Sequence, residues 1–319
     1  MPNLPPLDPP SPWHDGERAI RRSAGVEAEL EAIGPRAIAR TMPRQHGLFF
    51  AQLPYVVLGT IDRNDDAWVT LMAGIPGFLK PLDPGQLHID GTLDASDPAV
   101  EGWITGAAVA ALGIDLHARR RARLNGVLSH VAADHAVLTV RQAFGNCPQY
   151  IYSRTATFSR DPTLPWSGSV ETVEGLSKSA RAVISAADTF FVASYTDQQD
   201  GNVRSADVSH RGGKPGFVRV RDNELTIPDF RGNHYFNTLG NFVHTPRAGL
   251  TFVNFENGDL LQVTGDVTLT FEGAELGGFV GAERLWRLQV RRSVFRARAL
   301  PLQFADGQPS PQSLSTGAW

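Results

Sequence analysis

The sequence predicts a mainly β protein with short helices, in which two small β-barrels follow one another in a single chain. Short runs of β-branched and aromatic residues alternate with turns rich in Gly, Pro and Asp, which is typical of antiparallel strands. Similar segments also recur in the two halves of the chain. Each half contains about six strands with a short helix before the fourth, and this pattern fits a small closed barrel better than a doubly wound fold.

The first 45 residues are predicted to form an arm followed by helices. Residues 1–12 are rich in proline, which favours an extended arm. From residue 17 to residue 40, apolar side chains recur at roughly helical spacing, with an interruption at Gly34 and Pro35. This spacing predicts two short helices separated at that interruption.

Residues 46–160 are predicted to form the first barrel, with a β pattern that starts at Leu48. The run Tyr55–Ile61 predicts a buried strand, residues 62–66 a turn, and Ala67–Ala73 the returning strand. Further strands are predicted around residues 87–89 and over 107–116, 123–131 and 136–144. A helix-compatible segment is predicted over 98–104.

Residues 188–319 repeat this pattern and are predicted to form the second barrel. Residues 55–62 match residues 190–197 in type and order. Smaller matches support the repeat: Pro76-Gly77-Phe78 with Pro215-Gly216-Phe217, and Asn125-Gly126 with Thr264-Gly265. Between the barrels, residues 161–187 are predicted to be a polar, proline-containing linker followed by a helix. The duplication predicts a fused pseudo-dimer, with a cleft between its halves.

Composition excludes several classes of function. A net charge of −3 over 319 residues provides no general attraction to nucleic acid or to an anionic membrane. The single cysteine excludes a disulfide framework within the chain and suits the cytoplasm. The first residues do not resemble a signal peptide, and no apolar run approaches the ~20 residues of a membrane span. The histidines have no metal-site spacing, and no glycine-rich nucleotide motif follows a strand, so neither a metal site nor a Rossmann domain is expected.

One stretch, residues 207–241, is predicted to be a ligand site. A strand ends at Ser209, and the cations His210, Arg211 and Lys214 follow in what is predicted to be a glycine-rich turn. Hydroxyl and amide groups then cluster at a predicted helix start, in residues 233–241. Cations together with amides at a helix start are the groups that bind phosphate. An ordinary polar turn and simple helix capping are the alternative readings of these residues.

The first copy lacks these groups. The second copy is interpreted as having an insertion at residues 210–213, for which the first has only Gly74-Ile75. The first copy also carries acidic residues where the second carries amides. The sequence therefore predicts one phosphate site, in the second barrel, and a degenerate site in the first.

Three segments resemble the pyridoxamine 5'-phosphate oxidase-related family of FMN-binding split barrels. They are residues 207–218 (DVSHRGGKPGFV), 228–241 (PDFRGNHYFNTLGN) and 144–151 (FGNCPQYI). The chain is most similar to the branch of flavin-nucleotide-binding proteins with two barrels in one chain, and the similarity begins at residues 13–20 (WHDGERAI). The resemblance implies that FMN lies between the barrels, and that the chain is an FMN-dependent oxidoreductase. A non-catalytic flavin carrier or sensor is the alternative.

The resemblance also implies which residues contact the cofactor. From the second barrel these are Asp207, Val208, Ser209, Arg211, Lys214, Asp229, Asn233, Phe236, Asn237, Thr238 and Asn241. From the first barrel they are Gln149 and the arginines of a predicted hairpin, Arg120, Arg121 and Arg123, of which Arg121 is the candidate for the N1 and O2 edge of the ring. No catalytic acid or base is predicted, because flavin chemistry often needs none. Cys147 is interpreted as a packing residue.

The expected partners are FMN, a small-molecule substrate and an electron donor, either a reduced nicotinamide or a reductase. A homo-oligomer is compatible with the family. The phosphate-gripping Arg-Lys pair and the C-terminal Arg-x-His pair of the vitamin B6 oxidases have no counterpart here. Oxidation of pyridoxamine phosphate is therefore not expected.

Overall fold

The helices are short, and they lie before or between the strands except for the last one, which follows the final described strand. A computed structural model describes residues 11–199, 203–271 and 273–319, so most of the predicted arm lies outside the described residues. The described helices are α1 (Asp15–Ser23), α2 (Glu27–Ala37), α3 (Arg44–Gln52), α4 (Lys178–Ala186), α5 (Asn237–His244), α6 (Ala274–Gly277) and α7 (Pro311–Leu314). A 3-10 helix spans Pro98–Gly102. No described helix is long and apolar enough to cross a membrane.

The first barrel is an antiparallel sheet of seven strands. They are β1 (Tyr55–Ile61), β2 (Ala67–Ala73), β3 (Leu79–Asp83), β4 (Gln86–Asp90), β5 (Ala108–Asp115), β6 (Arg120–Val131) and β7 (His135–Asn146). Their order in the sheet is β2-β1-β5-β6-β7-β4-β3. Because β2 and β3 are consecutive in the chain yet lie at opposite ends of this order, the sheet curls into a barrel that is split between them.

Two strands precede the second barrel, β8 (Ser153–Phe158) and β9 (Val170–Glu174). The barrel itself contains β10 (Thr189–Gln199), β11 (Val203–Gly212), β12 (Arg219–Arg221), β13 (Glu224–Phe230), β14 (Arg247–Val253), β15 (Leu260–Thr270) and β16 (Ala282–Arg296). Their order, β11-β10-β14-β15-β16-β13-β12, repeats that of the first barrel strand for strand. The predicted fold class, mainly β with two tandem split barrels, is confirmed.

A matching irregularity marks both copies. The pairing of β6 with β7 shifts by one residue between Asn125 and Gly126, and that of β15 with β16 shifts between Thr264 and Gly265. A Cβ atom on Gly126 would lie 2.0 Å from Thr139 O. The bulges therefore need glycine, since only a residue without a side chain lets the backbones approach this closely.

The predicted register between the copies was wrong by one residue. Gly59 pairs with Ala110, as Ala193 pairs with Gly249, so Gly59 corresponds to Ala193 and not to the next residue. A shift of one residue exchanges the two faces of a strand. Because β1 and β10 are apolar on both faces, their sequence similarity alone does not determine which residues of the two strands are equivalent.

The predicted insertion at residues 210–213 was also wrong. In the observed register Gly74 corresponds to Gly213, and a Cβ on either glycine would clash with the ring of Phe78 or Phe217. The turn therefore has the same length in both copies. The additional residues of the second copy lie in the hairpin between β10 and β11. Moreover, β11 continues to Gly212, so His210 and Arg211 are strand residues and not turn residues.

The helices before the first barrel differ from the prediction. α2 continues through Pro35, and the break lies near Gly25, whose φ is +72°. Pro35 has no backbone N–H, so α2 lacks the hydrogen bond that residue 35 would donate, close to the end of the helix at Ala37. The predicted β pattern from Leu48 is helix α3 up to Gln52, and the first strand begins at Tyr55.

The linker and the C-terminal region connect the two barrels. Within the predicted linker, β9 pairs with β16 of the second barrel. β17 (Leu302–Gln308) pairs with β8, which follows the first barrel. Each barrel has its own apolar interior, and a third buried cluster, which includes Val57, Phe191 and Val208, lies between the two sheets. The halves are thus held together by a continuous apolar interface.

We expect Gly126→Ala to lower the free energy of unfolding by about 3 kcal/mol, because the added methyl group would overlap a backbone oxygen that cannot move alone. Gly145→Ala in β7 is the matched control, since the nearest atom to its Cβ would lie 4.0 Å away. Urea unfolding measures both. Equal stability of the two variants would contradict the bulge interpretation.

Candidate functional site

A cleft lies between the two barrels, bounded by β6 and the end of β7 on one side and by β11, β13 and the start of α5 on the other. Its lining is mostly polar. The residues include Arg121, Arg123, Asn146, Cys147, Gln149, Tyr150, Ser209, His210, Arg211, Asp229, Phe230, Asn233, Phe236, Asn237 and Thr238. The open space among these side chains is small, about 90 Å³.

A buried ion pair joins the barrels at the base of the cleft. Arg123 Nη1 on β6 lies 2.5 Å from Asp207 Oδ1 on β11, and both side chains are buried. Arg123 Nη2 donates to Ser209 Oγ at 2.7 Å, and Thr238 Oγ1 donates to the same oxygen at 3.2 Å. One guanidinium therefore connects the first barrel to a strand and a helix of the second.

Arg121, two residues earlier on β6, has no carboxylate partner in the part of the chain that the structure describes. Its Nε donates to Cys147 O at 2.8 Å, and its Nη1 donates to His210 O at 3.3 Å. Burial, together with the charges of Arg123 and Arg211 and opposed by Cys147, lowers the pKa of Arg121 to about 10. Arg121 remains charged at neutral pH, so the cleft contains a cation that no carboxylate of the described residues neutralises.

His210 contributes a second donor. Arg121 Nη1 lies 3.3 Å from His210 Nδ1, and a guanidinium can only donate, so Nδ1 accepts and the ring proton is assigned to Nε2. Burial, together with Arg121 and Arg211, holds the pKa of His210 well below its ordinary value. The ring is therefore neutral, and its buried Nε2 has no hydrogen-bond partner in the described residues. An oxygen atom of a ligand is the kind of group that such a donor requires.

Among the described residues that line the cleft, Asp229 carries the one carboxylate, and two arginines neutralise it. Arg211 Nη1 and Arg284 Nη1 lie 3.1 and 3.3 Å from its two oxygens. Burial nevertheless raises the pKa of Asp229 above its ordinary value. Because Asp207 and Asp229 are both engaged with arginines, the electrostatic balance of the cleft is positive and favours an anionic ligand.

The loop before α5 forms the wall opposite the arginines. His234 and Phe236 adopt the left-handed conformation, with φ of 59° and 54°. Two backbone carbonyls of the loop, those of His234 and Tyr235, accept hydrogen bonds from Arg21 of α1. Asn237 Nδ2 donates to Glu17 of the same helix, and Asn237 Oδ1 accepts from Arg123 Nη1 at 3.4 Å. The N-terminal helix thus supports the site from behind.

An aromatic pair lies at the mouth. The rings of Tyr150 and Phe230 are stacked with centroids 5.2 Å apart, and the Tyr150 hydroxyl donates to Arg231 O at 3.0 Å. Tyr150 has a φ of 63°, which directs the chain across the cleft from the first barrel. Cys147 Sγ lies 3.6 Å from Arg121 Nη2 and is partly exposed.

Ten of the fifteen predicted site residues line the cleft. They are Arg121, Arg123, Gln149, Ser209, Arg211, Asp229, Asn233, Phe236, Asn237 and Thr238. Asp207 lies behind them as the partner of Arg123, and the neighbouring Val208 belongs to the core between the sheets.

The other three predicted residues lie elsewhere. Asn241 donates to Ser194 Oγ within the second barrel at 2.9 Å, and the backbone N–H of Lys214 donates to Thr316 near the C-terminus. Arg120 is exposed and stacks on Phe49 of α3, 4.5 Å from the ring centroid. The predicted hairpin is present between β5 and β6, but its second strand starts at Arg120 and not at the predicted Arg123. All three arginines lie in β6, where alternation places Arg121 and Arg123 on one face and Arg120 on the other.

Several residues that build the site were not predicted, namely Glu17, Arg21, Asn146, Phe230 and Arg284. Glu17 had a sequence signal: His14 and Glu17 form a capping box at the start of α1. That signal predicts a helix end and not a contact with residue 237, because only the fold brings them together.

The equivalent cleft of the other half lacks counterparts of Arg121, Arg123, His210 and Arg211, and its buried Arg296 is paired with Asp97 at 2.7 Å. From the strand pairing, Leu260 takes the place of Arg121, Leu71 that of His210, and Met72 that of Arg211. Gln262 takes the place of Arg123 and donates to Asp97 at 2.9 Å. The two halves of the duplication have therefore diverged at the positions that make the first cleft cationic.

No family model and no curated protein matches the chain. Among solved structures it is similar to HupZ of Group A Streptococcus, at 12% identity and a TM-score of 0.30, over 42% of this chain and 98% of that one. It is also similar to a candidate pyridoxamine 5'-phosphate oxidase of Lactobacillus delbrueckii, at 17% identity and a TM-score of 0.27, over 33% of this chain and 95% of that one. The third similar structure is an FAD-binding protein of Mesorhizobium loti, at 15% identity and a TM-score of 0.27, over 40% of this chain and 98% of that one. Similarities of this size carry no argument about function.

We expect Asp207→Asn to lower the free energy of unfolding by about 3 kcal/mol, because it leaves the charge of Arg123 buried and unpaired. Glu101→Gln is the control. It removes one member of the exposed Arg63–Glu101 pair and should cost less than about 1 kcal/mol. Urea unfolding at neutral pH measures both, and a loss below 1 kcal/mol for Asp207→Asn would contradict the structural role of the pair.

Proposed function

We propose that the cleft binds a flavin nucleotide, FMN, and that the chain is an FMN-dependent oxidoreductase. The observation that carries this proposal is Arg121, a cation without a carboxylate partner in the described residues, beside the unpartnered N–H of His210. Both donors lie in the cleft between the two barrels, where Arg211 Nε and Asn146 Oδ1 are also buried without a hydrogen-bond partner in the described residues. An anionic ligand would satisfy both donors.

The donor set fits the polar parts of FMN. We assign the phosphate and the ribityl chain to Arg211, Asn233, Asn237 and Thr238, which offer charged, amide and hydroxyl groups along one wall. Arg121 is our candidate for the N1 and O2 edge of the ring. At about 90 Å³ the open space is smaller than a flavin, so binding requires side chains of the cleft to move.

A bound flavin would supply hydride and single-electron transfer, which no side chain of this chain provides. The protein's own contribution would be to hold the cofactor, to place a positive charge beside it and to exclude water. The donor would be a reduced nicotinamide or a protein, and the acceptor an organic molecule or oxygen.

We expect Arg121→Gln to weaken FMN binding about 10- to 100-fold, since a hydrogen bond to a charged group contributes about 1.5–3 kcal/mol. Arg120→Gln is the matched control. It removes the same charge from the adjacent residue, whose side chain lies on the opposite face of β6. Flavin fluorescence titration at fixed salt measures both affinities, and equal losses would refute the assignment of the site to this cleft.

Turnover separates an enzyme from a carrier. Protein loaded with FMN is incubated with NADH or NADPH, under air and with a nitroaromatic acceptor, and nicotinamide oxidation is followed by absorbance. We expect oxidation above that of free FMN. A protein that binds FMN tightly and oxidises neither nicotinamide would instead be a flavin carrier or sensor.

A further inference from the structure

Helix α1 is packed closely against helix α5, which begins at the cleft. A Cβ atom on Gly16 would lie 2.2 Å from Gly240 O, and one on Gly240 would lie 2.6 Å from the side chain of Glu17. The two helices therefore touch backbone to backbone. This contact brings Glu17 and Arg21, which are one helical turn apart, against the loop that carries Asn233, Phe236 and Asn237.

Glu17 is buried, and both of its carboxyl oxygens accept hydrogen bonds. Oε2 accepts from the backbone N–H of His14 at 3.0 Å, and Oε1 accepts from Asn237 Nδ2. Since the amide nitrogen of Asn237 faces Glu17, its carbonyl oxygen faces Arg123 and the cleft. The carboxylate of Glu17 thus determines whether the oxygen or the nitrogen of the Asn237 amide points into the cleft.

We infer that Glu17 is a positioning residue for the ligand site, which fixes the orientation of the Asn237 amide according to its own protonation state. An ionised Glu17 has only acceptors and requires the NH2 group of Asn237. A protonated Glu17 can donate from Oε1, which favours the reversed amide. The reversed amide directs its NH2 group at Arg123, where two donors meet. This inference deepens the proposed function and rests on it for the identity of the ligand.

The surroundings of Glu17 raise its pKa to about 7, so its carboxyl group titrates near neutral pH. Burial raises its pKa from 4.5 to about 7, and Arg21, the backbone N–H of His14 and Asn237 oppose this rise. Burial lowers the pKa of His14 to about 4, so that its ring is neutral throughout. The charged or titratable groups that interact with Glu17 are His14 and Arg21 on α1, Asp207 on β11 and Arg123 on β6, and His244 on α5 lies against the ring of His14.

The sign of the effect follows from this pKa. Above about pH 7, Glu17 is ionised and the carbonyl of Asn237 is available to a hydroxyl donor of a ligand. Below about pH 7, Glu17 is protonated and that acceptor is withdrawn. Ligand affinity is therefore expected to rise with pH through this range. A separate consequence is that folding stability contributed by Glu17 falls as pH rises from about 4.5 to 7, because the folded state holds the proton more tightly.

The test uses a readout that does not depend on any ligand. The side-chain amide resonances of Asn237, identified by their loss in Asn237→Asp, are followed by NMR from pH 5.5 to 8.5. We expect a titration with a midpoint near pH 7 in the natural protein and in Asp15→Asn, which removes an exposed carboxylate from the same helix. We expect no titration in Glu17→Gln. An amide that does not titrate, or that titrates equally in Glu17→Gln, would overturn the inference.

Ligand affinity provides the second readout. Riboflavin is the probe, since the phosphate of FMN itself titrates with a pKa of about 6. We expect riboflavin affinity to rise about tenfold across this pH range, the effect of one hydrogen bond, and to stay at the low level in Glu17→Gln. Thermal melting at pH 5.5 verifies that this variant is folded.

The two proposals fail separately. If neither riboflavin nor FMN binds at any pH, the proposed function is wrong, and the NMR titration still decides the role of Glu17. If riboflavin binds with an affinity that is independent of pH while the Asn237 amide titrates, the amide does not contact the ligand. Glu17 would then not be a positioning residue for the site.

Discussion

The ion pair between Arg123 and Asp207 is the interaction on which the cleft depends. Both side chains are buried, and burying two charges costs several kcal/mol unless further hydrogen bonds complete their shells. Arg123 meets that condition in part, since Nη2 donates to Ser209 Oγ and Nη1 to Asn237 Oδ1, while its Nε has no partner in the described residues. Since these groups come from β11 and α5 of the second barrel, a shift of β6 by one residue would turn the arginine side chain away from both elements. The pair therefore specifies how the two barrels meet more than it stabilises them.

Two arginines of β6 have different roles, since one is paired within the protein and the other is available to a ligand. Arg123 is neutralised by Asp207, whereas Arg121, on the same face, meets only backbone oxygens, a neutral ring and a thiol. A partly buried cation with such partners is expensive for folding and is typical of a functional site. The mirror-related position is Leu260, which has no such cost. A fused duplication permits this asymmetry, because each half can change without changing the other.

Much of the architecture could be predicted from the sequence, since the repeated turns and bulges are encoded locally by Gly, Pro and Asn. The pair Asn125-Gly126 and Thr264-Gly265 was matched correctly because a glycine is obligatory there. The strand register was not, because β1 and β10 are apolar on both faces and offer no alternation to align. The cluster of amides and cations in residues 209–238 was visible, but the strand that opposes it was predicted to start at Arg123, which left Arg120 and Arg121 in a turn, whereas β6 starts at Arg120. Alternation along that strand, and not the run of arginines, determines which of them reach the cleft.

The contribution of α1 could not be predicted, because it depends on a contact between residues more than two hundred positions apart. Arg21 and Glu17 are ordinary residues of an amphipathic helix when considered alone. Their effect arises because Gly16 and Gly240 let two helices touch, which places a donor and an acceptor beside a loop with two residues of positive φ. Such a loop conformation costs of order 1–3 kcal/mol per residue and persists only when its surroundings hold it. The carbonyls of His234 and Tyr235 accept hydrogen bonds from Arg21, and the amide of Asn237 donates to Glu17. Helix α1 therefore holds the loop before α5, which forms one wall of the cleft, in its strained conformation.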